Sequence, residues 1–131
     1  MTKTSNKTND KTSWVINTFT DSFIAVEPRL KKSQLVLSAT GDELNLGSLD
    51  WMDVITQLES AFDISIETKG LFGANVLKLL YACTRPLITQ NRLTSAEEIE
   101  IIQQYGDTIG IVPKLKRPQV VVSAKANQKT K

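Results

Sequence analysis

The sequence predicts an all-α fold, a small four-helix bundle with disordered basic tails. Four segments carry apolar residues at every third or fourth position, which is the spacing of one face of a helix. Proline or glycine interrupts the chain between these segments and favours separate helices. The 131 residues, 40% of them hydrophobic, suit one domain with one modest core.

The first helix is predicted over residues 14–26, with Ser13 as its N-cap. Pro28 cannot continue a helix interior, so the helix should end before it. Residues 1–12 are almost entirely polar and are expected to form a disordered tail. One apolar stripe defines the helix: Ile16, Phe19, Phe23 and Val26.

A long connection over residues 28–47 leads to a second helix, predicted over residues 49–62. Five leucines are expected to hold the connection on the core: Leu30, Leu35, Leu37, Leu44 and Leu46. The second helix carries the most regular apolar stripe of the chain. Its members are Leu49, Met52, Ile55, Leu58 and Phe62.

The third helix is predicted over residues 74–84, because a proline at position 86 disfavours helix in the residue before it. Cys83 lies in its apolar part and is expected to be a buried structural thiol. A fourth helix is predicted over residues 95–105, starting at a Thr94 or Ser95 cap with an acid three residues on. Its expected apolar face is Ile99, Ile101, Ile102 and Tyr105.

The net charge of +2 is unevenly distributed. Residues 13–113 hold 7 basic and 13 acidic side chains, whereas residues 114–131 carry a charge of +6. We therefore expect a helical domain over residues 13–112 and a solvated basic tail over residues 113–131, in which residues 120–122 form a short strand or an extended piece. An acidic body argues against a nucleic-acid-binding core, and only the tail offers contact with RNA, DNA or anionic lipid.

Composition also excludes some chemistry. The chain has no histidine, so it cannot build a Ser-His-Asp hydrolase site or a histidine-ligated zinc site alone. One cysteine excludes an internal disulfide. The start of the chain lacks the apolar middle of a secretory signal, and no apolar run approaches the roughly 18 residues of a membrane span, so a cytoplasmic protein is expected.

Ser48 is the most informative residue, because it precedes an acidic helix. Residues 48–67 contain five acids and neither lysine nor arginine: Asp50, Asp53, Glu59, Asp63 and Glu67. Ser48 has two interpretations. It is either a plain N-cap, which contributes about 1 kcal/mol to a helix, or the attachment point of a covalent prosthetic group.

Residues 44–66 resemble the acyl carrier proteins, whose pattern is Asp-Ser-Leu-Asp, an apolar residue at each turn, Leu-Glu, and then Phe with an acid and an Ile. This chain has Gly47-Ser48-Leu49-Asp50 at the start of that pattern. The rest of the match is Leu44 upstream and Val54, Leu58, Glu59, Phe62, Asp63 and Ile66 downstream. The wider similarity covers residues 14–84, and residues 87–131 form an extension with an added helix.

The resemblance implies an acyl-carrier-like bundle and a function without catalysis of its own. Ser48 would receive 4′-phosphopantetheine from coenzyme A through a phosphopantetheinyl transferase and Mg²⁺. The thiol of that arm would carry an acyl group as a thioester to the acyl-loading and acyl-transferring enzymes of a dedicated lipid or acyl-transfer pathway, such as fatty acid biosynthesis.

The expected partner-binding residues lie on the second helix: Leu49, Asp50, Met52, Asp53 and Glu59. Their negative charge would attract basic docking patches on partner enzymes. A phosphate on Ser48 would also lie near the positive end of the helix dipole. We expect a monomer that binds neither nucleic acid nor metal.

Two residues complicate the match. Gly47 stands where the family has an aspartate that assists loading, and Trp51 is either an ordinary exposed or half-buried side chain or an aromatic that alters partner docking. A carrier-like fold that has lost its prosthetic group and acts as a scaffold or adaptor is therefore an alternative. A helical adaptor whose basic tail binds nucleic acid or membrane is a third.

Overall fold

A computed structural model describes residues 3–113, and the side chains from residue 11 onward. Over this range the protein is a four-helix bundle, as predicted, with one isolated bridge between Thr40 and Asn75 and no strand. The basic tail at residues 114–131, including residues 120–122, lies outside the described residues. The helices are α1 (Lys3–Val26), α2 (Ser48–Phe62), α3 (Val76–Thr89) and α4 (Ser95–Thr108), with a 3₁₀ turn at Lys32–Gln34.

The core forms where α1 packs against α2 and α4, while α3 packs against α2. The predicted stripe of α1 is confirmed, because Ile16, Phe19 and Phe23 are buried and Val26 packs against the core. The five leucines of the connection are also buried, as expected. None of the described helices is long and apolar enough to cross a membrane.

The first helix begins earlier than the sequence predicts. α1 starts at Lys3 rather than residue 14, so the segment expected to be a disordered tail is helical from Lys3 onward and Ser13 lies inside the helix. Contacts with the fourth helix accompany this extension. Thr12 is buried, and Lys11 Nζ lies 3.4 Å from Glu97 Oε2 of α4.

The third helix runs through its proline, contrary to the prediction. α3 begins at Val76 and continues past Pro86 to Thr89. Leu87, immediately after the proline, is fully buried. Burying a leucine is worth about 1.5–3 kcal/mol, which offsets most of the roughly 3 kcal/mol that a proline costs inside a helix.

The fourth helix starts as predicted and ends later, at Thr108. Thr94 is its N-cap, with Oγ1 accepting a 3.0 Å hydrogen bond from the Glu97 amide, while the Glu97 carboxylate accepts one of 2.9 Å from the Thr94 amide. Ile99 is 59% exposed, so its assignment to the apolar face is wrong. The other predicted members are confirmed, because Ile101 and Tyr105 are fully buried and Ile102 packs against the core.

The connection before α2 ties the ends of α3 and α4 together. The Leu37 amide donates a 3.0 Å hydrogen bond to the Gly110 carbonyl, just beyond α4. The Leu37 carbonyl accepts from the Leu77 amide at 2.9 Å, and the Ala39 carbonyl accepts from the Val76 amide at 2.8 Å. These bonds satisfy amides in the first turn of α3 that have no partner within the helix.

Candidate functional site at the start of helix α2

The chain reaches α2 through a tight turn that fixes where Ser48 lies. Leu44 and Leu46 are buried on either side of the exposed Asn45, whose φ of 60° reverses the chain direction. The Leu46 amide donates a 2.8 Å hydrogen bond to the Gly41 carbonyl. The two buried leucines anchor the turn, and the next residues emerge at the surface.

Ser48 is exposed and is the first residue of the helix itself. The N-cap is Gly47, whose carbonyl accepts a 2.9 Å hydrogen bond from the Trp51 amide. The interpretation of Ser48 as an N-cap is therefore wrong. The capping position carries no side chain that competes for the amides of the first turn, and those amides, with the positive end of the helix dipole, favour an anion at this end.

The backbone at Gly47 leaves room for a side chain. A Cβ built on this glycine has no heavy atom within 4 Å, and its φ of −71° and ψ of 178° suit any residue. Steric crowding therefore does not explain the glycine. An aspartate at this position would fit without a change in the backbone.

A groove of about 220 Å³ adjoins Ser48. Trp51 backs this groove and is only 3% exposed, so the expectation of an exposed or half-buried tryptophan is wrong. Its indole Nε1 donates a buried 2.9 Å hydrogen bond to the Leu71 carbonyl, in the turn at residues 68–73. This bond fixes the start of α2 against that turn.

Two large apolar side chains lie exposed beside the serine. Leu49 is 81% exposed, and Phe72, which lines the groove together with Ser48, is 53% exposed. Sequence reasoning missed Phe72. The signal was an aromatic residue between Gly70 and Gly73, both of which have φ of 81° and form a surface turn.

The acidic residues of α2 differ in their surroundings. Asp53 is exposed and Asp50 is half-buried in the first turn, as is Met52 one turn after the serine. Glu59 is different, because its carboxylate accepts a 2.8 Å hydrogen bond from the Ile66 amide and so holds the segment that follows α2. Asp50 and Asp53 are thus available at the surface, whereas Glu59 has a structural contact.

The negative charge of α2 is not compensated by ion pairs within the described side chains. Those pairs join Lys11 to Glu97, Arg29 to Glu27, Lys32 to Asp21 and Arg85 to Glu98. All of them lie outside α2, and residues 48–67 contain no basic residue. The start of α2 therefore presents a hydroxyl, exposed apolar surface and unpaired carboxylates on one surface of the bundle.

Other reactive groups are held in unreactive states. Cys83 is buried in α3, and desolvation raises the pKa of its thiol far above the ordinary value. Burial likewise raises the pKa of Tyr105. Among the described side chains, from residue 11 to residue 113, there is no group of three or more histidine, cysteine, aspartate or glutamate residues that could hold a metal ion.

No protein-family model, curated protein or solved structure matches this chain. The defining elements of the site are Ser48, the side-chain-free cap at Gly47, and the acidic surface that follows them.

Proposed function

We propose that this protein is an acyl carrier protein, loaded with 4′-phosphopantetheine on Ser48. The observation that carries the proposal is an exposed serine at the first position of a helix whose charged residues are all acidic. The resemblance of residues 44–66 to the carrier proteins gives that serine its chemical role. The acyl group, held as a thioester at the end of the arm, then passes to enzymes of a lipid or acyl-transfer pathway.

The loading step places a phosphodiester at the start of α2. The Ser48 oxygen would bond to the phosphorus of the pantetheine half of coenzyme A as the pyrophosphate P–O bond breaks. The nucleotide half would leave as 3′,5′-ADP, the serine proton would pass to a base, and a separate transferase with Mg²⁺ would supply the catalysis. The product carries one negative charge beside the unpaired amides of the first turn. Such an anion gains about 0.3–1 kcal/mol from the helix dipole at an exposed site.

The surface around Ser48 suits both the arm and a partner enzyme. Phe72 and the adjoining groove supply apolar surface next to the attachment point. Leu49 supplies an exposed apolar contact, and Asp50 and Asp53 supply negative charge for a basic docking patch. Glu59 supports this face indirectly, since its carboxylate is bonded to the Ile66 amide.

Intact mass spectrometry tests the proposal directly. The protein is incubated with coenzyme A, Mg²⁺ and a broad-specificity phosphopantetheinyl transferase, and a gain of one phosphopantetheine mass is expected. Ser48→Ala should gain nothing while remaining folded. Ser60→Ala, which changes an exposed serine of the same helix, should load like the wild type. Loading of Ser48→Ala would refute the site.

Gly47 supports one other function, that of a carrier-like scaffold without a prosthetic group. The family's aspartate assists loading, and its absence here is the specific observation in favour of this alternative. Gly47→Asp distinguishes the two functions, because the position accepts a side chain. A folded Gly47→Asp protein that loads while the wild type does not would identify a lost attachment site, and loading of the wild type would exclude the scaffold.

A further inference from the structure

A second, larger groove lies on the outer face of α3. It has a volume of about 780 Å³, within the range of roughly 300–1,000 Å³ typical of binding sites. Lys78, Tyr81 and Pro86 line it from α3, and Lys69 and Leu71 line it from the segment that follows α2. The Trp51 indole holds the Leu71 carbonyl, so this wall is fixed to the core.

The groove concentrates positive charge on an acidic body. Residues 13–113 carry a net charge of −6 and only seven basic side chains, three of which line this groove: Lys69, Lys78 and Arg85. Glu67 is the one acid among the lining residues. Glu98 of α4 faces Arg85, with Oε2 accepting from Nε at 2.7 Å, yet the Arg85 side chain remains 66% exposed. Cations therefore outnumber acids at the groove even when Glu98 is included.

The spacing of these cations indicates the shape of the partner. Lys78 and Arg85 are seven residues apart on one face of α3, which corresponds to about 10 Å at a rise of 1.5 Å per residue. Both side chains are long and flexible, so they can hold one anion between them or two anions at about this spacing. A helix lying along the groove supplies two such anions when its acids are seven residues apart, and it can place apolar side chains between them on Pro86 and on the Tyr81 ring, over which the Arg85 guanidinium lies at 5.2 Å. The basic tail of this chain carries like charge and is a poor occupant.

We propose that this groove is a docking site for an acidic amphipathic helix of a partner protein. This groove is distinct from the one beside Ser48, because the two share no lining residue, although they meet at the neighbouring residues Leu71 and Phe72. The protein thus carries surfaces of opposite charge, a negative one at the start of α2 and a positive one along α3. This second interaction does not require the prosthetic group, so it is tested with unloaded protein.

Fluorescence anisotropy with the full chain tests the docking site. The probe is a labelled helical peptide with glutamates seven residues apart and leucines on the same face, and the comparison peptide carries lysines instead. Lys78→Glu and Lys69→Glu should each weaken binding of the acidic peptide at least fivefold, and Lys78→Ala about twofold. Lys31→Glu is the matched control, since Lys31 is an exposed lysine outside the groove. It should leave the affinity unchanged, and circular dichroism checks that every variant is folded.

Four outcomes would overturn the proposal. The first three are that the acidic peptide shows no saturable binding, that the lysine peptide binds equally well, and that Lys78→Glu and Lys31→Glu lose the same affinity for the acidic peptide. The fourth is that the groove binds another occupant. Vesicles of phosphatidylserine that bind in a Lys78-dependent way without peptide binding would assign the groove to a membrane. A Lys78-dependent dimer in sedimentation would assign it to a second copy of the chain.

Discussion

Replacing Tyr105 with phenylalanine tests whether α4 is part of the core or an appendage. The Tyr105 side chain is fully buried, its ring meets Phe19 edge-on at 5.8 Å, and its hydroxyl donates a 2.7 Å hydrogen bond to the Leu35 carbonyl. Leu35 lies 70 residues earlier in the chain, so this bond joins α4 to the connection before α2.

The magnitude follows from what the substitution leaves behind. Phenylalanine keeps the ring and its packing but removes the donor, so the buried Leu35 carbonyl loses its side-chain partner. An unsatisfied buried polar group costs about 1–3 kcal/mol. At an m-value of about 2 kcal/mol/M, the urea midpoint should fall by roughly 0.5–1.5 M.

The assay is equilibrium unfolding in urea, followed by tryptophan fluorescence and circular dichroism. Tyr81→Phe is the control, because Tyr81 is half-buried on the outer face of α3 beside Arg85. It should change the free energy of unfolding by less than about 0.5 kcal/mol, as surface substitutions usually do. A loss in Tyr105→Phe no larger than that of the control would refute the reasoning and make α4 a peripheral addition.

Three further predictions concern the site and the core. Gly47→Asp should raise the initial rate of loading and leave the free energy of unfolding unchanged or a few tenths of a kcal/mol higher, and slower loading would contradict the open geometry at this cap. Asp50→Lys with Asp53→Lys should weaken binding of a partner enzyme at least tenfold in a titration at low salt, while an unchanged affinity would remove this docking face. Because burial raises the pKa of the Cys83 thiol, the unfolded state loses this proton at a lower pH than the folded state does. The free energy of unfolding should therefore fall as pH rises above about 8.5. A Cys83→Ala protein with the same decline would refute this cause.

The sequence was most informative where one helix face decides burial. In α2, Ile55, Leu58 and Phe62 are buried as their spacing predicts, and the helix ends at Phe62 as expected. The start of the predicted stripe is wrong, because Leu49 is exposed and Met52 is only half-buried where the first turn of α2 lies at the surface. The leucines of the connection were also predictable, because a segment without regular periodicity still buries its large aliphatic side chains. The capping box at Thr94 was readable because both of its hydrogen bonds join residues three positions apart.

Features that depend on distant contacts were not predictable. Local signals at Ser13 and Pro86 favoured helix ends, but contacts of Lys11 with α4 and burial of Leu87 accompany helices that continue past both positions. The burial of Trp51 also depends on a distant contact. Its indole finds a partner in the Leu71 carbonyl 20 residues away, and nothing adjacent to it in the sequence indicates that bond.

The exposed surface around Ser48 bears on the choice between a carrier and a scaffold. A scaffold that had abandoned its prosthetic group would have no need to keep a serine exposed at the first position of α2, since Ser48 is not the helix cap. Leu49, 81% exposed directly beside it, has no packing role to justify its position. An exposed leucine and unpaired carboxylates around one hydroxyl are better explained by a partner protein that binds this surface and acts on that hydroxyl. Under the proposed carrier function, the glycine at position 47 would affect the rate of loading, while Ser48 would determine whether loading occurs.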